Sequence, residues 1–233
     1  YGIPLRSLYS RNVPNLLFAG RNASCTHAAM SSTRVMGTGC SMGQAVGTAA
    51  ALALAKGLLP ADMKAHIHEL QQTLIGDDAY LPGVRQVFPK LTAAAALTAS
   101  QGDPEPVRDG ISRPVGADAH GWTCRPGDWI AYRFRTPSDV ACVTLVLDSG
   151  LDRNVAMSYL QKDDHIGSLP DVMPKAFRIE GLAEGEWREL LRVDRSHQRF
   201  CRFDVARKLD AIRFVLEETW GGKESRVYAF YVE

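Results

Sequence analysis

The chain has 233 residues, enough to bury a substantial core, and this length is typical of one large or two ordinary domains. Hydrophobic residues make up 45% of the chain, charged residues make up 23%, and the formal net charge is +1. Because the net charge is near zero and the arginines are dispersed, we expect no nucleic-acid partner and no membrane partner. The longest apolar run, residues 49–55, is too short to span a bilayer.

The cysteines form neither a metal-binding pattern nor a disulfide pattern. Their number is odd and no two are spaced as CxxC: Cys25, Cys40, Cys124, Cys142 and Cys201. We therefore expect buried, reduced thiols and no metal site. The chain begins with Tyr1, and no basic segment followed by an apolar segment comes after it. The sequence therefore does not fix the compartment.

A short apolar run near the start precedes a polar loop and a helix rich in small residues. Leu16–Ala19 predicts a strand covered on both faces, and residues 20–40 predict a long connection of the kind that often carries function. A helix is expected from about Ser41 to Lys56, ended by Gly57. Small residues recur every fourth position on one face of it: Gly43, Gly47, Ala51 and Ala55.

A second helix is expected from Pro60 to about Ile75. Its apolar face contains Met63, Ile67, Leu70 and Leu74, whereas His66 and His68 lie off that face and are expected to face solvent. The covered strand at Leu16–Ala19 has no second apolar run nearby with which to pair. We therefore expect part of this domain to lie outside the 233 residues.

The composition changes after the helical region. Residues 100–106 contain glycine and two prolines and resemble a linker, and the periodicity then becomes alternating. Short strands are predicted at residues 129–134, 140–147, 176–179, 187–193, 200–205, 211–216 and 226–232. The predicted fold class is α+β, with a helical and loop remnant of an α/β domain at 1–99 and an antiparallel β-sandwich of jelly-roll type at 107–233.

The N-terminal stretch resembles the last part of the flavin-binding domain of FAD-dependent oxidoreductases. These have the two-dinucleotide-binding fold of the glutathione reductase and fumarate reductase relatives. The resemblance is closest over Tyr1–Gly83 and rests on three motifs in order: residues 16–22, residues 32–36 and residues 43–47. It implies an oxidoreductase in which hydride passes from an unidentified substrate to FAD.

The resemblance implies cofactor-binding roles for two short segments. Gly20 would end the strand beneath the ribityl chain of FAD. Many relatives carry an acidic residue next, but Arg21 stands there in this chain, so Asn22 or backbone groups would bind the ribityl hydroxyl. Gly43, Gln44 and Ala45 would present amides to the pyrimidine edge of the flavin, where a helix N-terminus stabilises the reduced form.

The resemblance also implies two catalytic candidates near the flavin ring. Arg34 would orient an anionic or carbonyl group of the substrate, and His27 would donate or accept a proton. The alternatives are that Arg34 only holds the loop in place and that His27 is a structural or surface histidine.

The pyrophosphate-binding part of an FAD site is missing from the sequence. No GxGxxG occurs; Gly37 and Gly39 begin such a motif, but Met42 stands where the third glycine would fall. We therefore expect the missing N-terminal half of the flavin domain as a partner. We also expect the 233 residues alone to bind FAD weakly or not at all and to be inactive.

Residues 107–233 resemble the discoidin-like, galactose-binding-like β-sandwiches, on the strand patterns at residues 129–134, 177–179 and 212–214. One alternative function is therefore a carbohydrate-binding module. Its candidate loop residues are His120, Trp122, Arg153, Asp163, Asp164, His165 and Trp220. The other alternative is a purely structural module that packs on the flavin domain or mediates oligomers. Against the carbohydrate-binding reading, Trp129, Trp187 and Trp220 can instead be core anchors. Asp148, Asp163 and Asp164 form no ordered series of calcium ligands.

Overall fold

The computed structural model describes residues 1–150 and 169–233. The contacts within the chain divide it into two compact units, Tyr1–Gln86 and Val87–Glu233. Four of the candidate loop residues lie outside the described residues: Arg153, Asp163, Asp164 and His165.

The first unit is helical. It contains α1 (His27–Thr33), α2 (Met36–Lys56) and α3 (Ile67–Gly76), with 3-10 turns at Leu5–Ser7, Gly20–Asn22 and Pro60–His66. Its core joins α2 to α3 and to the turn before it through Ala49, Ala53, Met63, Leu70 and Leu74. The predicted apolar face is thus confirmed except at Ile67, which is 38% exposed. The stripe of small residues at 43, 47, 51 and 55 lies on the exposed side of α2.

Two predictions for the first unit are wrong. Leu16–Ala19 is not a covered strand, since Leu16 is 41% exposed and Leu17 forms only an isolated bridge with Tyr9. A strand needs hydrogen-bonding neighbours, and the described part of this unit contains no sheet. The small-residue helix begins at Met36 rather than at Ser41.

Among the described residues, no single helix is long and apolar enough to cross a membrane. The two segments Met36–Lys56 and Pro60–Gly76, which meet at 90°, satisfy the length and composition requirements only when taken together.

The described residues of the second unit form a short α-helix and seven strands. The helix is α4 (Lys90–Ala94), and the strands are β1 (Ala96–Ala99), β2 (Trp122–Cys124), β3 (Trp129–Leu147), β4 (Pro174–Ala183), β5 (Glu186–Val193), β6 (Phe200–Thr219) and β7 (Ser225–Val232). All neighbouring strands are antiparallel, in the order β2-β7-β3-β6-β4-β5, with β1 paired to β3. Glu184 and Gly185, both with positive φ, form the tight turn between β4 and β5.

Two long strands form both layers of a sandwich. The first half of β3 pairs with β1 and with the second half of β6, whereas its second half pairs with β7 and with the first half of β6. The pairing shifts register between Arg133 and Ser138, where the strand bends. Fully buried side chains fill the space between the layers, and the Tyr132 hydroxyl donates to the Phe230 carbonyl across it at 2.6 Å. The predicted α+β class with an antiparallel β-sandwich is confirmed.

The strand predictions differ from the structure in their continuity. Residues 129–134 and 140–147 belong to one strand, and so do residues 200–205 and 211–216. The predicted breaks fall where the pairing of β3 with β6 shifts register, between Arg133 and Ser138 and between Val140 and Cys142, and Pro137 lies in the first of these irregular stretches. The short strands β1 and β2 were not predicted.

The segment before the predicted linker packs on the sandwich. The buried Thr92 hydroxyl donates to the Val232 carbonyl at 2.7 Å and accepts from the Val232 amide at 2.8 Å. The Arg108 guanidinium donates to the carbonyls of Thr92 and Ala95. The structure therefore groups residues 87–99 with the sandwich, although the domain ranges 1–99 and 107–233 themselves stay a prediction.

The cysteines divide between the two units. Cys124, Cys142 and Cys201 are buried, as expected, whereas Cys25 and Cys40 are exposed. Burial raises the pKa of the Cys201 thiol to about 11. The buried thiols are therefore protonated at neutral pH and unreactive.

An ion-pair network lies on the outer side of β4 and β6. The Glu180 carboxylate accepts from Arg178 Nε at 2.7 Å and from Arg213 Nε. Burial alone raises the pKa of the Glu180 carboxyl, but the hydrogen bonds and charges of the two arginines outweigh burial and lower it. The ionised form of Glu180 is therefore the one that stabilises the fold.

Replacing Glu180 by glutamine is expected to lower the free energy of unfolding by about 1–2 kcal/mol at neutral pH. Because the pKa of Glu180 is lower in the folded state, its contribution is present above its unfolded pKa of about 4.3 and is lost as the pH falls through the folded value. Urea unfolding at neutral and acidic pH should show a smaller acid loss for Glu180→Gln than for the wild type. Glu186→Gln, at an exposed ion pair, is the control, and equally steep acid losses in Glu180→Gln and the wild type would contradict the role of Glu180.

Candidate functional site

The connection between α1 and α2 is held by hydrogen bonds at its ends. The Thr26 hydroxyl accepts from the Ala29 amide at 3.3 Å and begins α1. Val35 is extended, with φ −73° and ψ 152°, so the chain turns before α2 begins. The hydroxyls of Tyr1 and Thr38 both donate to the Ser32 carbonyl, at 2.9 and 3.2 Å, and fix the two helices to each other.

The N-terminus of α2 carries amides that its own helix does not use. The first helical bond runs from the Gly39 amide to the Val35 carbonyl at 2.9 Å. Met36, Gly37 and Thr38 precede it, and their amides have no acceptor inside the helix. Apart from its chain neighbours and the backbone of its own helix, no described atom lies within 4 Å of a Cβ built on Gly37. This turn can donate hydrogen bonds to an electron-rich group, and the helix dipole supports that interaction.

The turn Gly20–Asn22 lies beside the first turns of α2. Gly20 has φ 79°, in the left-handed region, and a Cβ built on Gly39 would lie 3.6 Å from its Cα. Arg21 and Asn22 are exposed. The structure thus brings Gly20 close to the start of α2, without the strand that the sequence predicted before it.

The predicted pyrimidine-edge residues do not lie at a helix N-terminus. Gly43, Gln44 and Ala45 are inside α2, where backbone amides bond to carbonyls four residues earlier. The expectation that they begin the helix is wrong, because the helix extends back to Met36. Their roles at a flavin stay a prediction.

The two predicted catalytic residues are not brought together. His27 is the first residue of α1 and Arg34 is the residue that caps its end, and both are exposed. At 1.5 Å of rise per residue, about 10 Å along the helix axis separates them. Their catalytic roles stay a prediction.

A cavity of about 620 Å³ lies beside α1 in the first unit. The N-terminal segment, the residues before α1, α1 itself and α2 line it, including Tyr1, Ile3, Cys25, Ser32, Thr33 and Met42. The Thr33 hydroxyl lies 3.6 Å from the Cys25 sulfur. None of the residues predicted as a site lines this cavity. The first turn of α2, residues 36–38, was not predicted to be helical or to form part of a site, because Val35 is a poor capping residue and Gly37 and Gly39 are poor helix formers.

Three connecting segments of the sandwich meet around Trp220. The Trp220 amide donates to the Met173 carbonyl at 3.0 Å, and the Ser196 amide donates to the Lys175 carbonyl at 2.7 Å. The Trp220 Nε1–H group donates to the Ser196 carbonyl at 2.8 Å. The start of β4, the β5–β6 loop and the β6–β7 turn are thereby joined.

The half-buried Trp220 ring is surrounded by basic and aromatic groups. The His197 ring stacks on it, with centroids 5.2 Å apart and an angle of 30° between the planes. Arg195 Cζ lies 5.2 Å and Lys175 Nζ 5.7 Å from the ring centroid. We call Lys175, Arg195, His197 and Trp220 the Trp220 surface.

The other predicted aromatic and histidine residues have different positions. Trp122 is 1% exposed and donates to the Gln101 carbonyl, so it is a core residue. The His120 side chain is 5% exposed and lies 3.2 Å from Asp109. Trp129 and Trp187 are half-buried and flank the Arg213 guanidinium, rather than anchoring the core between the layers.

In the ranges 1–150 and 169–233, no group of three or more His, Cys, Asp or Glu side chains is placed to hold a metal ion.

The two units are similar to different classes of known proteins. Residues 1–74 match the family of FAD dependent oxidoreductases. The resemblance inferred from the sequence is therefore confirmed for this part of the chain. The matched residues include the Gly20–Asn22 turn, α1, the N-terminus of α2 and His27 and Arg34. The chain has no significant match among curated proteins.

The solved structures that are similar to this chain are β-sandwich modules. Chitosan-binding module 1 from a Paenibacillus sp. IK-5 chitosanase/glucanase is 14% identical, with a TM-score of 0.42, over 60% of this chain and 95% of that one. The CBM32 of AlyQ, in complex with 4,5-unsaturated mannuronic acid, is 15% identical, with a TM-score of 0.41, over 59% and 93%. The family 32 CBM of C. perfringens NanJ, in complex with galactose, is 8% identical, with a TM-score of 0.43, over 60% and 93%. Similarity at this level carries no argument about ligands.

Proposed function

We propose that the first unit supplies the flavin-ring side of the FAD site of an oxidoreductase. The observation that carries this proposal is the family match over residues 1–74. When bound, FAD supplies two-electron redox chemistry at its flavin ring.

The residues at the start of α2 fit this cofactor. The amides of Met36, Gly37 and Thr38 are directed away from the helix, as donors to the pyrimidine edge of a flavin must be. Tyr1 and Thr38 hold this turn in place through the Ser32 carbonyl. In this proposal the backbone at Gly20 approaches the ribityl chain, and Arg21 and Asn22 are the nearest side chains to its hydroxyls.

The remaining roles concern the substrate. Arg34 presents a guanidinium that can orient an anionic or carbonyl group. The exposed His27 can donate or accept a proton at an imidazole nitrogen. The ADP part of FAD needs a GxGxxG segment, which the 233 residues do not contain. We therefore propose that another segment, encoded upstream, completes the domain.

Replacing Gly37 by valine is expected to remove most of the bound FAD, because a branched side chain would stand between the α2 amides and the flavin. Gly43→Val, on the same helix and equally open, is the matched control and should retain FAD. Both variants would be expressed together with the upstream segment, and flavin absorbance per protein would be measured after gel filtration.

Three outcomes of this experiment are informative. No flavin in the completed wild-type protein would overturn the proposed function. Flavin lost from Gly43→Val but retained by Gly37→Val would move the contact back to residues 43–45. Tight, stoichiometric binding of FAD to the 233 residues alone would contradict the need for a second segment.

A second candidate function is carbohydrate binding by the sandwich. The observation that favours it is the Trp220 surface, where an aromatic ring and three basic side chains lie together beside connecting loops. Aromatic rings stack on sugars, and basic side chains donate hydrogen bonds to their oxygens. A glycan array probed with the 233-residue chain tests this function, and an array without any retained glycan would exclude it.

A further inference from the structure

The Trp220 ring is held in a fixed position by hydrogen bonds. The polar edge of the indole is fixed inward by its bond to the Ser196 carbonyl, and Ser196 itself is only 5% exposed. The Trp220 backbone is fixed by its bond to the Met173 carbonyl. A ligand would therefore meet a ring whose position is set before binding, which lowers the entropy lost on association.

The two cationic side chains beside the Trp220 ring, Lys175 and Arg195, differ in their ion pairing. The Lys175 ammonium is paired with Glu218 at 2.7 Å. Among the residues that the structure describes, Arg195 makes no ion pair, and its guanidinium lies against the indole ring. Two acidic residues among those described face this region: Asp194 is next to Arg195 in the chain, and Asp171 lies against Gly221 and Gly222. Within the described ranges 1–150 and 169–233, Arg195 thus has free donor capacity beside an aromatic ring.

We propose that the Trp220 surface binds an acidic sugar, a uronate or a sulfated residue of a polysaccharide. This inference rests on the carbohydrate-binding candidate and goes further by naming the ligand class. The planar Arg195 guanidinium donates two parallel hydrogen bonds to a carboxylate or sulfate group. The exposed His197, which stacks on the half-buried Trp220 ring, adds a donor and offers its outer ring face to the apolar face of the sugar.

The test is calorimetry with the 233-residue chain and three oligosaccharides of equal length: an oligogalacturonate, a sulfated galactan and a neutral galactan. We expect binding of one or both acidic probes and much weaker binding of the neutral one. Arg195→Gln should raise the Kd for the acidic probe about tenfold or more, the effect of losing one strong charged contact. Arg188→Gln, an exposed arginine on β5, is the matched control and should leave the Kd unchanged.

The outcomes separate this inference from the function on which it rests. Equal binding of neutral and acidic probes, with no effect of Arg195→Gln, overturns the acidic ligand but leaves carbohydrate binding in place. Binding of inorganic polyphosphate as tightly as the acidic sugars also overturns it. Binding of no sugar at all rejects both. Because Arg195 is exposed, its variant should fold, and loss of binding in Trp220→Ala is the second readout.

Discussion

Replacing Phe214 by alanine is expected to lower the free energy of unfolding of the sandwich by about 3–5 kcal/mol. The Phe214 side chain is fully buried between the two layers, and its ring lies 5.4 Å from that of Phe177. Without the ring, less apolar surface is buried on folding, and a cavity remains because the two close-packed layers cannot move together to fill it. Urea unfolding followed by tryptophan fluorescence would measure the loss. All four tryptophans, at 122, 129, 187 and 220, belong to the second unit, so this signal reports on the sandwich.

Phe203→Ala is the matched control for this experiment. Phe203 lies on the same strand and contacts the same Phe177 ring, at 6.2 Å, but it is only half-buried. Its removal should cost less than half as much, since solvent already reaches the side chain. Equal losses at positions 203 and 214 would contradict the placement of the core between the layers.

Replacing Thr92 by valine is expected to lower the same free energy by about 2–4 kcal/mol, although the two side chains have nearly the same shape. The Thr92 hydroxyl bonds both the amide and the carbonyl of Val232, and all three groups are buried. A valine would leave a buried donor and a buried acceptor of β7 without this partner. The measurement is again urea unfolding followed by tryptophan fluorescence.

Thr92→Ser is the control, because serine keeps the hydroxyl and removes only a methyl group. It should cost about 1 kcal/mol, the value of one buried methylene. If Thr92→Val proved no more harmful than Thr92→Ser, the bonds to Val232 would contribute nothing. The helix α4 would then be a peripheral attachment of the sandwich and not a part of it.

More of the sandwich than of the helical unit could be predicted from the sequence. Alternating apolar residues such as Ile212 and Phe214 mark core-facing positions directly, because side chains alternate along a strand. The alternation is interrupted at residues 135–139, around the bulge near Pro137, and a single sequence cannot distinguish this interruption from a turn. The strand Ala96–Ala99 was missed because alanine-rich segments favour helix, and only pairing with β3 makes this one extended.

The sequence motifs place Gly20 and the small-residue helix close together in the chain, and the structure brings Gly20 beside the first turns of that helix. The roles of the site residues themselves stay a prediction. The start of α2 was placed too late because Gly37 and Gly39 lower helix propensity, while the bonds of Tyr1 and Thr38 to Ser32 hold this turn in place. The residues of the Trp220 surface are far apart in the chain, so no local sequence pattern predicts that they lie together.

The sharing of β3 and β6 between both layers has a consequence for how the sandwich opens. Neither layer can separate without breaking the pairing of a strand that continues into the other. The amides of the two layers should therefore exchange with solvent through one common global opening, with similar protection along the whole length of both strands. The long-range pairing of residues 129–147 with 200–215 must also form before either layer is complete, which favours slow folding in a single cooperative step.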